Sequence, residues 1–122
     1  MLFGEFYKIH RIKRNISLKK AADILDISPS YLSSIESGSR HAPPFFVQQK
    51  MADILELNEN ERFQLYDLAA ESKQPPTLAE DLNEYIYKNP VIRDMLRYSM
   101  KCQLTGKEWE ITFTYIKRNY HY

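Results

Sequence analysis

Cysteine, glycine and long apolar runs are all scarce in this sequence. Cys102 is the only cysteine, which excludes an internal disulfide framework and any multi-cysteine metal site and leaves a buried structural thiol as its expected role. No apolar run approaches the roughly 20 residues of a membrane-spanning helix, so no membrane role is expected. Glycine occurs three times, and alternating strand patterns bounded by turn residues are hard to find. A Gly-rich phosphate loop, a His-Glu-x-x-His pair and a nucleophile elbow are all missing, and His10, His41 and His121 lie far apart in sequence. No catalytic residue, metal ligand or cofactor is predicted, and the chain does not read as an enzyme. Its opening, MLFGEFYKIHRIKR, places charges after the apolar residues and has no small-residue cleavage site, so it reads as a helix rather than an export signal, with the cytoplasm as the expected location.

What is present is an ordinary globular composition, 43% apolar and 27% charged over 122 residues. That length suits one compact domain, or a headpiece with a short appended module. The net charge of +1 conceals three unlike segments. Residues 1–41 hold seven basic and four acidic side chains, 42–84 three and nine, and 85–122 seven and three. The first segment is therefore the candidate surface for a polyanion, although the same charges suit a solvated helix face.

Apolar residues recur at spacings of three and four almost throughout, which predicts an all-α fold. A first helix over Phe3–Arg14 would turn Phe3, Phe6, Tyr7, Ile9 and His10 inward. Ser17 caps a second, Leu18–Leu25, with Ala21, Ala22 and Leu25 on a narrow apolar face. Ser28 caps a third, from Pro29 at its first position to Ser37, burying Leu32 and Ile35 and stopped by Gly38. Pro43 and Pro44 lead into a fourth, Phe45–Leu55, and Asn58 caps a fifth, Glu59–Glu71, with Phe63, Leu65 or Tyr66, Leu68 and Ala69 inward. The paired prolines of Ser72–Thr77 mark a linker. The expected division is a headpiece over 1–72, a linker at 73–77 and a helical module over 78–122. Beyond the linker Thr77 can cap a helix to Lys88, Asn89-Pro90 starts another to Cys102, and a last one spans Glu108–Asn119. The final stretch, ITFTYIKRNYHY, also alternates like a strand.

The informative stretch is residues 16–38, ISLKKAADILDISPSYLSSIESG, two short helices joined by a tight turn. With Leu32 and Ile35 inward, Ser30, Ser33, Ser34 and Ser37 fall on the outer arc of the second helix. Short hydroxyl side chains let a helix backbone approach the floor of a major groove and can donate to phosphates or base edges. Lys19, Lys20, Arg40 and His41 would flank that arc. The same four serines also suit a plain solvent face.

Phe3-Gly4, Arg11, Ser17, Ala22, Ile27-Ser28, Ser30-Tyr31-Leu32-Ser33, Ile35-Glu36 and Gly38 resemble the Cro/cI-type (XRE) helix-turn-helix family. The likeness runs over about residues 3–69 and includes Ala42-Pro43-Pro44. It implies a five-helix, lambda-repressor-like DNA-binding headpiece followed by about three C-terminal helices, with the third helix in the major groove and the second crossing the backbone. By position it makes Pro29, Ser30, Ser33 and Ser34 groove-facing and puts Ser17, Lys19 and Arg40 near phosphates, with Ser28 and Ser37 completing the DNA-binding set. It also pairs Arg11 with Glu36 as a structural ion pair. Three positions depart from the family: Leu18 replaces a DNA-touching glutamine, Asp26 a turn glycine, and His10 an inner leucine.

Residues 77–122 resemble, less specifically, helical tails of some family members, through Asn89-Pro90, Arg93, Leu96-Arg97 and Trp109. Short helices this rich in Tyr, Met, Phe and Trp are expected to pack on the headpiece or on a second copy. The resulting expectation is a transcriptional regulator, a repressor acting as a homodimer on a palindromic double-stranded DNA operator. The alternative is an antitoxin-like protein that neutralises a protein partner such as a toxin and autoregulates through the same headpiece.

Overall fold

The structure, a computed structural model, describes residues 1–122 and holds eight helices and no strand. They are α1 (Phe3–Lys13), α2 (Leu18–Leu25), α3 (Pro29–Ser37), α4 (Phe45–Ile54), α5 (Glu59–Glu71), α6 (Glu80–Lys88), α7 (Pro90–Lys101) and α8 (Gly106–Asn119). The final stretch resolves as helix, and α8 begins two residues before the expected Glu108. The chain divides inside α6 into two compact units, Met1–Asn83 and Glu84–Tyr122.

In the first unit side-chain oxygens start the helices. Ser17 Oγ accepts the Lys20 N–H and Ser28 Oγ the Tyr31 N–H, each at 3.1 Å. At α5, Asn58 Oδ1 accepts from the Glu61 N–H at 2.8 Å while the Glu61 carboxylate accepts from the Asn58 N–H at 2.9 Å, a reciprocal capping box. The stops explain the scarcity of glycine. Asn15, Asp26 and Glu56 take the left-handed conformation, at φ 56, 57 and 50°. After each, two N–H groups return to the last turn, as in Asp26 N–H to Asp23 O (3.1 Å) and Ile27 N–H to Ala22 O (3.0 Å). Gly38, at φ 85°, does the same service for α3.

The core lies where α1 packs on α3 and α5, α2 on α3 and α4, and α4 on α5. Tyr7, Leu32, Ile35, Met51, Leu55 and Leu65 are its largest fully buried side chains. Ala21 and Ala22 supply the small face that lets α2 sit close. Gly4 permits a nearer approach still: a β-carbon there would lie 2.2 Å from the Ile35 carbonyl oxygen, so α1 and α3 meet backbone to backbone. Both Leu65 and Tyr66 are buried, whereas Phe63 and Ile9 are exposed. Leu65, Tyr66, Ala69 and Ala70 already fill the inner face of α5, which leaves Phe63 on its solvent edge. On α1 the inner face extends instead to Gly4 and Arg11.

Past α5 the Thr77 N–H donates to the Ala70 carbonyl at 3.2 Å. Ala79 is buried beside Tyr66 and Ala70, with Phe45 against them. The backbone of Thr77 is thus held to the end of α5, and α6 starts at Glu80 rather than directly after Thr77.

In the second unit Pro90 opens α7 and a Thr105–Glu108 capping box opens α8. Ser99 is its one buried residue. Cys102 is exposed, not buried as expected, because it stands beyond the last turn of α7.

Candidate nucleic-acid interface

The turn between α2 and α3 brings two helix N-termini together. An α-helix leaves its first N–H groups unpaired and carries a partial positive charge there, which favours an anion. Acidic residues occupy the first turns of α1, α5, α6 and α8, whereas α2 and α3, like α4 and α7, have none. An open groove of about 580 Å³ runs between the two starts, lined by Ser17, Lys19, Lys20, Asp23, Ile27 and Pro29. Beside it, a second of about 470 Å³ is lined by Ser28, Ser30, Tyr31, Ser34 and Arg40.

These grooves gather Ser17, Lys19, Ser28, Pro29, Ser30, Ser34 and Arg40, and leave out Ser33 and Ser37. The serines differ in what their hydroxyls have left to give. Ser17 and Ser28 spend a lone pair on a helix cap but keep the O–H proton. Ser34 is half-buried, and its O–H donates to the Ser30 carbonyl at 2.9 Å. Ser37 donates to the Ser34 carbonyl at 3.1 Å. Ser30 lies 3.3 Å from the Ser28 hydroxyl. Ser33 is exposed and has no partner within the protein, so it presents the freest hydroxyl of the set.

Sequence reasoning gave no role to Asp23 or Tyr31, both of which line the grooves. Asp23 follows Lys19 by one helical turn and places a carboxylate among the basic residues. Tyr31 sits three residues from both Ser28 and Ser34, a spacing that puts it on their side of α3, and the Arg40 guanidinium lies 6.0 Å from its ring centre. The helical period applied to those serines would have found it.

Behind the grooves lies a buried ion pair. Arg11 Nε donates to Glu36 Oε2 at 2.7 Å and Arg11 Nη2 to Glu36 Oε1 at 2.9 Å, with side chains only 10% and 6% exposed. A third donor, Nη1, reaches the Ile16 carbonyl at 2.8 Å. One guanidinium thus ties α1 to the last turn of α3 and to the chain entering α2. The Tyr7 hydroxyl is buried nearby without a hydrogen-bond partner. Burial foremost, then the Glu36 carboxylate, push its ionisation far above the ordinary phenol value, with Arg11 opposing. Tyr7 is therefore a neutral core side chain.

Comparison with known proteins gives two likenesses. The helix-turn-helix family (HTH_3) matches residues 8–61, from α1 into the first turn of α5. A chain in a solved complex of the SinR protein with the SinI protein is similar over 95% of its own length and 95% of this one, at 21% identity and a TM-score of 0.49. No curated protein matches the chain.

Proposed function

We propose that the chain, whose residues 8–61 match the helix-turn-helix family, is a regulator of the XRE type that reads double-stranded DNA through α3 as a repressor, a homodimer on a palindromic operator in the cytoplasm. The carrying observation is the pair of acid-free helix N-termini that open on one groove between Lys19, Lys20 and Pro29. In this reading the α2 start and Arg40 hold phosphates, while Pro29, Ser30 and Ser33 approach base edges. Ser28 positions the α3 start as its cap. Ser34 and Ser37 shape the face through their backbone-bonded hydroxyls rather than by free donors. Two copies on a two-fold axis would read half-sites about one helical turn apart.

The test is a double substitution, Ser30→Glu with Ser33→Glu, at two exposed positions. It should lower binding to duplexes selected from a random library to the level of mixed-sequence DNA while leaving circular dichroism and melting unchanged. Undiminished binding by the folded variant would refute the assignment of α3.

A second reading has one observation in its favour. Residues of α7 and α8 such as Tyr98, Ile111 and Tyr115 are largely exposed, and apolar surface of this kind suits a protein partner. An antitoxin-like role would have that partner, a toxin, cover them. Co-purification of a second polypeptide at fixed stoichiometry would favour it over the regulator reading.

A further inference from the structure

The second unit has a charge pattern that reading through α3 leaves unused. Residues Glu84–Tyr122 carry seven basic and four acidic side chains. Two of the acids are already engaged: Glu84 pairs with Lys88 at 2.8 Å, and Glu108 accepts from the Thr105 N–H at 2.9 Å in the α8 cap. Of the seven basic residues only Lys88 has an ion-pair partner.

Three of the rest stand in register. Arg93, Arg97 and Lys101 recur at every fourth position of α7, which places them on one face. Successive members advance about 6 Å along the axis. All three are exposed; the buried Ser99 lies on the far side of the helix, and the half-buried Leu96 flanks Arg93. Asp94 borders the stripe but lies within ion-pair distance of none of them. The exposed apolar residues Val91, Met95 and Tyr98 occupy a different sector of the helix, while the exposed Met100 borders the stripe beside Arg93.

We propose that Arg93, Arg97 and Lys101 form a second, sequence-independent contact to the phosphate backbone of duplex DNA. The inference rests on the DNA-binding reading above and adds a region to it. Evenly spaced cations without internal partners complement a line of phosphates, and arginine's planar fork suits phosphate oxygens. An acidic protein surface has the same sign, but a protein partner would be expected to use the apolar sector. With that sector covered, the basic stripe would remain open.

The experiment uses the full chain with Arg93→Gln, Arg97→Gln and Lys101→Gln combined, titrated with a selected duplex and with a mixed-sequence duplex over a salt series. Each phosphate contact contributes about 0.9 to the slope of log affinity against log salt. The slope should therefore fall by about 2 to 3 per protomer on both duplexes, with the preference between them kept. Arg93→Lys with Arg97→Lys keeps the charge and should keep the slope, which guards against a loss that is merely one of folding. An unchanged slope in the folded triple variant overturns the proposal. So does a salt-sensitive mass in solution that the triple substitution abolishes, since the stripe would then bind protein. Ser30→Glu with Ser33→Glu separates the two readings: it should remove the preference for the selected duplex and leave the stripe's salt-dependent binding to the mixed one.

Discussion

Glu36 stands in the last turn of α3, a place from which a carboxylate could face outward. Its geometry assigns it elsewhere, because both carboxylate oxygens are taken by Arg11 inside the protein. Removing one member of a buried pair strands the other's charge at a cost of about 3–5 kcal/mol, a large share of the stability of a small domain. Glu36→Ala should therefore lower the urea midpoint severely or unfold the first unit, and a variant with wild-type stability would contradict the structural role. Gly4 makes a companion case without charge. A methyl group there meets backbone oxygens of Ile35 and Glu36, which cannot swing aside as a side chain can. In an open helix Gly→Ala would stabilise by roughly 0.5–1 kcal/mol. Here Gly4→Ala should destabilise by about 1–3 kcal/mol, the usual range for overpacking, and thermal melting gives the sign directly.

At the scale of elements the first five helices were legible because their ends are written in side chains. Ser17, Ser28 and Asn58 are good caps wherever they occur before an apolar period, and Pro29 and Gly38 punctuate α3 at the two positions where each is favoured. What periodicity could not supply was direction at the edges of a face. Phe63 fits the inward spacing as well as Tyr66 does, and only the position of α4, whose Phe45 ring lies 4.8 Å from that of Tyr66, decides between them. Nor could it show that Thr77 would bond back to Ala70 and delay α6. At the interface the basic and hydroxyl residues were legible as types, whereas the internal bonds that occupy Ser34 and Ser37 required coordinates. The α5 cap yields a prediction with a definite sign. The Asn58 N–H holds the Glu61 carboxyl below its ordinary value of 4.5, against the opposing effect of burial and with His10 and Lys13 helping. A carboxyl lowered on folding stabilises above its unfolded value, and that contribution is lost as pH falls through the folded one. Glu61→Gln keeps an acceptor for the cap but cannot ionise. Wild type should thus be the more stable at neutral pH, and the difference should vanish in acid. A pH-independent difference in urea melts would sink this account.

For the molecule as a whole, the two units differ in what they bury. The first has a continuous core of aromatic and aliphatic side chains. The second covers Ser99 but leaves Tyr98 72%, Ile111 62% and Tyr115 61% exposed. Side chains of that size each forgo roughly 1.5–3 kcal/mol while they face water, which is the drive for a second surface to cover them. The proposed homodimer supplies that surface and also the two-fold symmetry that a palindrome demands. Sedimentation equilibrium should accordingly return twice the 14.5 kDa of one chain. Tyr98→Ser combined with Ile111→Ser should shift the mass toward that of a single copy and leave the melting of the first unit intact. Operator binding would then rise with the square of protein concentration, because two monomers must meet on the DNA. A wild-type chain that sediments as one copy at micromolar concentration, yet binds its operator at nanomolar concentration without cooperativity, would show that the apolar face serves another partner.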